Sequence, residues 1–345
     1  MNKKKILQSL KDVADLKVSP DRLFSASHEE IATGATSDIY FIRSMEILNE
    51  LDLAGTVVTA ELFASRDGVM AGTAEIKHLL KDSNVKVEAL PEGKEFQKKQ
   101  TIARVKGPYN EFGVFETALL GILASSSAWA AAARECKRAT GGKSLICFGA
   151  RHLHPAVAPA MERAAVVGGA DGASCILGAK LVGLDPMGTV PHAVFLIVGD
   201  TVKVAKTYDQ IMPPDAARII LVDTFKDEVE EALRVAGALK GNLQGIRLDT
   251  PSERGGVTSA LVRETRARLD QAGFEHVQIL VSGGLTPERI RELSASGADA
   301  FGVGSYISGA RPIDMTMDIK KIYDKPVAKR GRIPGLTQTP DLETI

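Results

Sequence analysis

The chain has 345 residues, of which 44% are hydrophobic, 25% charged and 5% aromatic, and its formal net charge is zero. That length can bury one large core or two domains, and the composition excludes disordered and fibrous classes. A neutral balance gives no long-range attraction to nucleic acid or an anionic membrane, so neither is expected as a partner.

The first residues, Met1 to Leu7, include three lysines, but Asp12, Asp15 and Lys17 interrupt any apolar run behind them. No export segment is therefore expected. The stretch Ala193 to Gly199 reads as the longest apolar run and is too short to span a bilayer. The cysteines Cys136, Cys147 and Cys175 are odd in number and lack CxxC spacing, which suits reduced thiols in a cytoplasmic protein.

In chain order, Ser37 and Asp38 stand before a helical pattern of Ile39, Ile42, Met45 and Leu48 that closes near Gly55. Strand-like runs follow at 57–63, 68–72, 85–90 and 101–107. They are separated by Arg66-Asp67-Gly68, Pro91-Glu92-Gly93 and Gly107-Pro108. Residues 1–120 are read as an α+β sheet domain, and an alanine-rich helix from Phe112 to Arg138 leads out of it. A βα-barrel domain is expected over 121–345, with a tail from Asp324 that wraps the surface. Its first strand is Ser144 to Phe148, and later strands start near 219, 246, 278 and 300 with helical segments between them. Thr286-Pro287 marks one helix start and Gly297 its stop. The stretch 185–198 fits strand or helix equally.

Barrel enzymes place their chemistry where the strands end. Asp223 and Asp249 each follow an apolar strand, and each suits a ribose hydroxyl or a Mg²⁺ held on a polyphosphate; Asp223 also suits a helix N-cap. Arg247 lies two residues before Asp249, so both face the same side of a strand. Ser282, Gly283 and Gly284 end one strand, and Gly302, Gly304 and Ser305 end the next. Glycine loops before helix starts let backbone N–H groups approach a phosphate closely. Phe148 and Arg151 bracket the first strand's exit, where an aromatic face and a guanidinium suit a flat anionic ring. His192 follows a Gly/Pro-rich loop. His152 and His154 have no carboxylate or thiol nearby in sequence, so no metal site is assigned.

Taken in order, Thr36-Ser37-Asp38-Ile39-Tyr40-Phe41, Phe148-Gly149-Ala150-Arg151, Gly188-Thr189-Val190-Pro191-His192 and Ile246-Arg247-Leu248-Asp249-Thr250 resemble the motifs of nicotinate phosphoribosyltransferases. The resemblance extends more loosely to quinolinate and nicotinamide phosphoribosyltransferases. It implies an irregular βα-barrel, an N-terminal sheet domain and a homodimer with shared active sites. It also implies transfer of a phosphoribosyl group from phosphoribosyl pyrophosphate to nicotinate, with Mg²⁺ on the pyrophosphate and ATP as co-substrate. Phe148 and a partner's Tyr40 would sandwich the pyridine ring. Arg247 would meet its carboxylate or a phosphate, Asp249 the ribose, and Arg151 a phosphate. Gly283, Gly284, Gly304 and Ser305 would cradle the 5′-phosphate, and His192 would accept phosphate from ATP.

Two departures bear on the substrate. Quinolinate enzymes carry Arg-Lys after the first strand and His-Arg after the second, where this chain has Arg151-His152 and Gly172-Ala173-Ser174. Asp185 lies near an aspartate that nicotinamide-specific relatives use, which keeps the amide open as an alternative. A sugar-phosphate lyase or isomerase would use the same glycine loops, with Lys203 or Lys206 as its reactive lysine. A non-catalytic phosphoribosyl-ligand sensor has no need to keep Arg247, Asp249 and His192 together.

Overall fold

The computed structural model describes residues 6–345, and the lysine run at 3–5 lies outside them. The chain forms two compact units. One comprises residues up to Ala130 together with Arg311–Ile345, and the other Ala131–Ala310.

The first unit is built on an antiparallel sheet. Its strands run in the order Lys325–Pro326, Met315–Ile322, Val57–Ala64, Thr101–Pro108, Lys86–Ala89 and Glu343–Thr344. The expected boundary near residue 120, with the whole C-terminus given to the barrel, is thereby corrected. Residues 315–322 pair along nearly the full length of 58–64. Glu61 explains how the tail is held. This carboxylate is 1% exposed and accepts from Arg104 Nη2 at 2.7 Å, from the Thr337 N–H at 3.0 Å and from the Thr337 hydroxyl at 2.9 Å. A buried carboxylate needs such partners, and the tail supplies two of them. The helix Ile39–Glu50 turns Phe41, Ile42 and Met45 inward and leaves Tyr40 exposed, its ring 4.3 Å from that of Phe41.

The helix Glu116–Ala139 carries the chain across the division between the units. Helical residues Tyr109–Ala139 are long and apolar enough to cross a membrane by length and composition, which the shorter run at 193–199 is not. Leu119, Leu123, Ala130, Ala133 and Cys136 on this helix are fully buried within the protein.

The second unit is a set of six parallel strands in the order Gly172–Ala173, Ser144–Cys147, Ala300–Val303, Gln278–Ser282, Gly245–Leu248 and Ile219–Leu221. Helices Ala158–Gly168, Glu228–Leu239, Ser259–Gln271 and Pro287–Ala295 connect them, which makes an irregular βα-barrel. Thr286 caps its helix as expected, accepting from the Arg289 N–H. The ambiguous stretch resolves as a helix, His192–Val198, so no strand forms between 173 and 219.

Alternation along the strands sets the layers of the interior. Ile146, Leu280 and Ala300 form an apolar cluster, against which Phe148 and Ile219 pack. Leu280 is in register with Arg247 and Ala300, and Gly302 with Ser282 and Ile146. Arg247 thus enters at the level of Leu280 and Ala300, and Ser282 follows two residues further along its strand.

One half-buried acid in the first unit gives the fold a pH dependence. Glu116 faces a cavity of about 390 Å³ lined also by Tyr109, Phe112, Met317, Ile319 and Val327. Burial, reinforced by Asp318 and opposed by Lys329, pushes its carboxyl from the ordinary 4.5 up to about 7. The folded state therefore holds a proton that the unfolded state has released, so stability falls as pH rises through that window. Glu116→Gln is expected to flatten the fall between about 4.5 and about 7, read from urea midpoints across that range.

Candidate active site

Arg247 is the centre of the polar layer in the barrel unit. Its side chain is 18% exposed and each of its three guanidinium nitrogens donates one hydrogen bond. Nε donates to the Ser282 hydroxyl at 2.8 Å, Nη1 to the Thr189 hydroxyl at 2.9 Å and Nη2 to Asp249 Oδ2 at 3.2 Å. Ser282 in turn donates to Asp249 Oδ1 at 2.7 Å. The hydroxyl relays between cation and anion, so adjacent strands hold all three groups together. The guanidinium carbon also stands 5.2 Å from the centroid of the Phe148 ring, within cation–π reach.

Asp223 ends the neighbouring strand, its side chain only 1% exposed. Burial pushes its carboxyl up from the usual aspartate range, His192 pulls it down, and the charge of Asp249 raises it further. His192 is the first residue of the helix His192–Val198, and its Nε2 lies 3.1 Å from Asp223 Oδ2 and 3.2 Å from Oδ1. With Nε2 committed to the carboxylate, Nδ1 is the free ring nitrogen, and the side chain is 41% exposed. The N-cap reading of Asp223 does not hold, because Asp227 caps the helix that follows.

The two glycine loops differ in what they do locally. Gly283 and Gly284 have φ of +94° and +59°, conformations that side chains rarely adopt, so this turn needs glycine. At Gly302 a Cβ would lie 2.3 Å from the Phe148 ring, and at Gly304 2.7 Å from the His152 ring. Those two glycines make room for aromatic rings, a steric reason independent of phosphate. Ser305 opens a short helix, Ser305–Ser308, and is exposed, as is Arg151. Tyr40 belongs to the other compact unit. Asp185 is 91% exposed and ion-paired with Lys180, so its carboxylate is neutralised at the surface. Lys203 and Lys206 lie exposed on the helix Thr201–Ile211 and end no strand.

Sequence reasoning missed three supports. Thr189 holds Arg247 from a segment without regular structure. Glu228 accepts from the Thr250 hydroxyl at 2.9 Å. Glu162 anchors two further loops. Thr189 sits inside a motif already singled out, which was its only signal; Glu162 and Glu228 look like ordinary helix surface acids.

Among the described residues no three His, Cys, Asp or Glu side chains gather to hold a metal ion. Asp223 and Asp249 end neighbouring strands, and this sparse donor set fits a Mg²⁺ that arrives on phosphate oxygens and keeps its waters.

The Gly302 packing is testable by itself. Gly302→Ala is expected to cost about 1–3 kcal/mol, and little once Phe148 is alanine. Denaturation midpoints of the four proteins in a double-mutant cycle measure the coupling; equal costs in both backgrounds would refute the steric account.

Comparison with known proteins agrees with this geometry. Residues 38–127 match the family model described as quinolinate phosphoribosyl transferase, N-terminal domain, and residues 129–318 match that of its C-terminal domain. A nicotinate phosphoribosyltransferase of Mycobacterium tuberculosis is 29% identical over 256 residues, 71% of this chain and 55% of the relative. One of Bacillus subtilis is 30% identical over 224 residues, 64% of this chain and 45% of the relative. The chain spans about half the length of these curated relatives. The crystal structure of nicotinate-nucleotide pyrophosphorylase from Pyrococcus furiosus is 42% identical with a TM-score of 0.87, covering 92% of this chain and 82% of that one. Human nicotinic acid phosphoribosyltransferase shares the fold at 19% identity and a TM-score of 0.68, covering 87% of this chain and 77% of that one. With both domain models matched in order along its length, the chain belongs to the type II phosphoribosyltransferases, the quinolinate phosphoribosyl transferase family.

Proposed function

We propose that this chain transfers the phosphoribosyl group of phosphoribosyl pyrophosphate to nicotinate, releasing pyrophosphate and nicotinate mononucleotide in NAD synthesis, with ATP hydrolysis coupled to the transfer. The observation that carries the choice of substrate is Arg247 beside Phe148. A pyridine ring laid on Phe148 meets one guanidinium, a match for one carboxylate. A second carboxylate has no cation waiting at the end of the strand Gly172–Ala173, where Ser174 instead donates to Glu162 at 3.0 Å. Quinolinate, with two carboxylates, is thus poorly served, although the similarity to the nicotinate-nucleotide pyrophosphorylase of Pyrococcus furiosus makes it the second reading to test.

The pyridine nitrogen brings its own lone pair, so the reaction asks for no general base. Its demands are alignment of nitrogen with ribose C1 and stabilisation of charge as pyrophosphate leaves. Asp249 suits the ribose hydroxyls. The turn at Gly283 and Gly284, together with Gly304 and Ser305, suits the 5′-phosphate. Arg151 is free at the surface to meet a phosphate, and Tyr40 of a second subunit would close the ring slot in a homodimer. Mg²⁺ would accompany the pyrophosphate and offset its charge. His192 offers Nδ1 to the terminal phosphoryl group of ATP while Asp223 holds Nε2. This pairing orients the ring and stabilises the positive charge it gains.

The deciding experiment is pyrophosphate release from phosphoribosyl pyrophosphate and Mg²⁺ with nicotinate, nicotinamide or quinolinate, with and without ATP. Release with nicotinate that rises with ATP is expected. Release with quinolinate alone would move the chain to the second reading. Arg247→Ala is expected to lower kcat/KM for nicotinate about 100-fold, in line with loss of a charged hydrogen-bond partner worth roughly 3 kcal/mol. His192→Ala is expected to abolish ATP hydrolysis while leaving a basal transfer measurable without ATP.

A further inference from the structure

Glu162 is fully buried on the helix Ala158–Gly168 and takes no part in the groups described above as meeting substrate. Its carboxylate nevertheless spends every contact on strand-end loops. Oε1 accepts from the Ala150 N–H at 3.2 Å and from the Ser174 hydroxyl at 3.0 Å, and Oε2 accepts from the Cys175 N–H at 2.6 Å. Ala150 belongs to the loop that carries Phe148 and Arg151. Ser174 and Cys175 belong to the loop after the next strand. Gly178, where a Cβ would come 3.0 Å from the Glu162 Cβ, lets the helix Ile176–Lys180 close over the carboxylate.

A fully buried carboxylate carries a desolvation cost that only its partners offset, and here all of them are two backbone donors and a hydroxyl on strand-end loops. The geometry points to Glu162 as a positioning residue that locks the 149–151 and 174–175 loops to one helix and so presets the ring slot around Phe148. This rests on the transferase reading for its functional consequence, but the locking itself does not.

Glu162→Gln discriminates. A glutamine presents one N–H₂ in place of an acceptor, so at least one of the two backbone N–H groups must lose its partner. We expect kcat/KM for nicotinate to fall about tenfold or more, mainly through KM. Amide hydrogen exchange should accelerate at Ala150, Cys175 and their loop neighbours, and stay unchanged in the strands Gly245–Leu248 and Gln278–Ser282. Glu61→Gln, at an equally buried acid of the first compact unit, should speed exchange near Thr337 and leave the nicotinate KM as it was. Unchanged exchange at both loops overturns the inference, and so does faster loop exchange with an unaltered KM. If the parent chain turns over none of the three pyridines, the transferase reading fails and the exchange result alone decides the locking. If Glu162→Gln does not fold, Ser174→Ala, which removes only one of the three hydrogen bonds, is measured in the same way and expected to raise KM about threefold; no change in KM or exchange there counts against the inference.

Discussion

An arginine placed in the interior of a parallel barrel must be given partners or the fold pays a charge-burial penalty of several kcal/mol. Here the partners of Arg247 come from three separate pieces of chain: Asp249 on its own strand, Ser282 on the neighbouring strand and Thr189 in the irregular segment before His192. The requirement organises the site. Once the guanidinium is fixed, Asp249 and Ser282 are fixed with it, and the hydroxyl between them passes the constraint on to the glycine turn. The cation is held ready for an anion without being left unpaired in its absence. A ligand carboxylate would exchange one good arrangement for a better one.

The same economy appears at the neighbouring strand. Asp223 is buried deeply enough for its carboxyl to be raised, and His192 restrains that rise through a single ring nitrogen. The pair leaves the other ring nitrogen outside this contact, on a side chain that is 41% exposed. Around these residues a second tier of buried acids, Glu162 and Glu228, secures loops rather than substrate. The relatives differ in name between nicotinate transfer and nicotinate-nucleotide pyrophosphorylase activity, and a shared barrel accommodates either.

Much of the barrel was legible because apolar runs of strand length stop at carboxylates and glycines, and the strands at 219, 245, 278 and 300 begin within a residue of where those runs start. Period two also placed Arg247 and Asp249 on one face. Other features had no local signal. The stretch after Asp185 is too short and mixed to declare its period, and its helix buries only Phe195. The glycines at 302 and 304 read as phosphate loops, but the rings they admit, Phe148 and His152, are about 150 residues away. The strand Met315–Ile322 alternates Met315, Met317 and Ile319 with polar residues, so its pattern was present. Its partner, 57–64, was too distant in sequence to suggest the pairing.

That distant pairing has a consequence for how the protein is made. The antiparallel sheet of the first unit begins with residues that leave the ribosome early, yet Val57–Ala64 waits for Met315–Ile322 to fill one of its two flanks. Closing so long a loop is entropically slow, and an open strand edge invites pairing with the wrong chain until it is filled. The barrel, whose strands all lie between 144 and 303, is complete in sequence before that partner is synthesised. Vectorial synthesis therefore favours an order in which the barrel strands pair before Met315–Ile322 completes the sheet of the first unit. Aggregation during expression would then originate in the exposed edge of the N-terminal sheet, and a chain truncated before residue 315 would carry that hazard permanently.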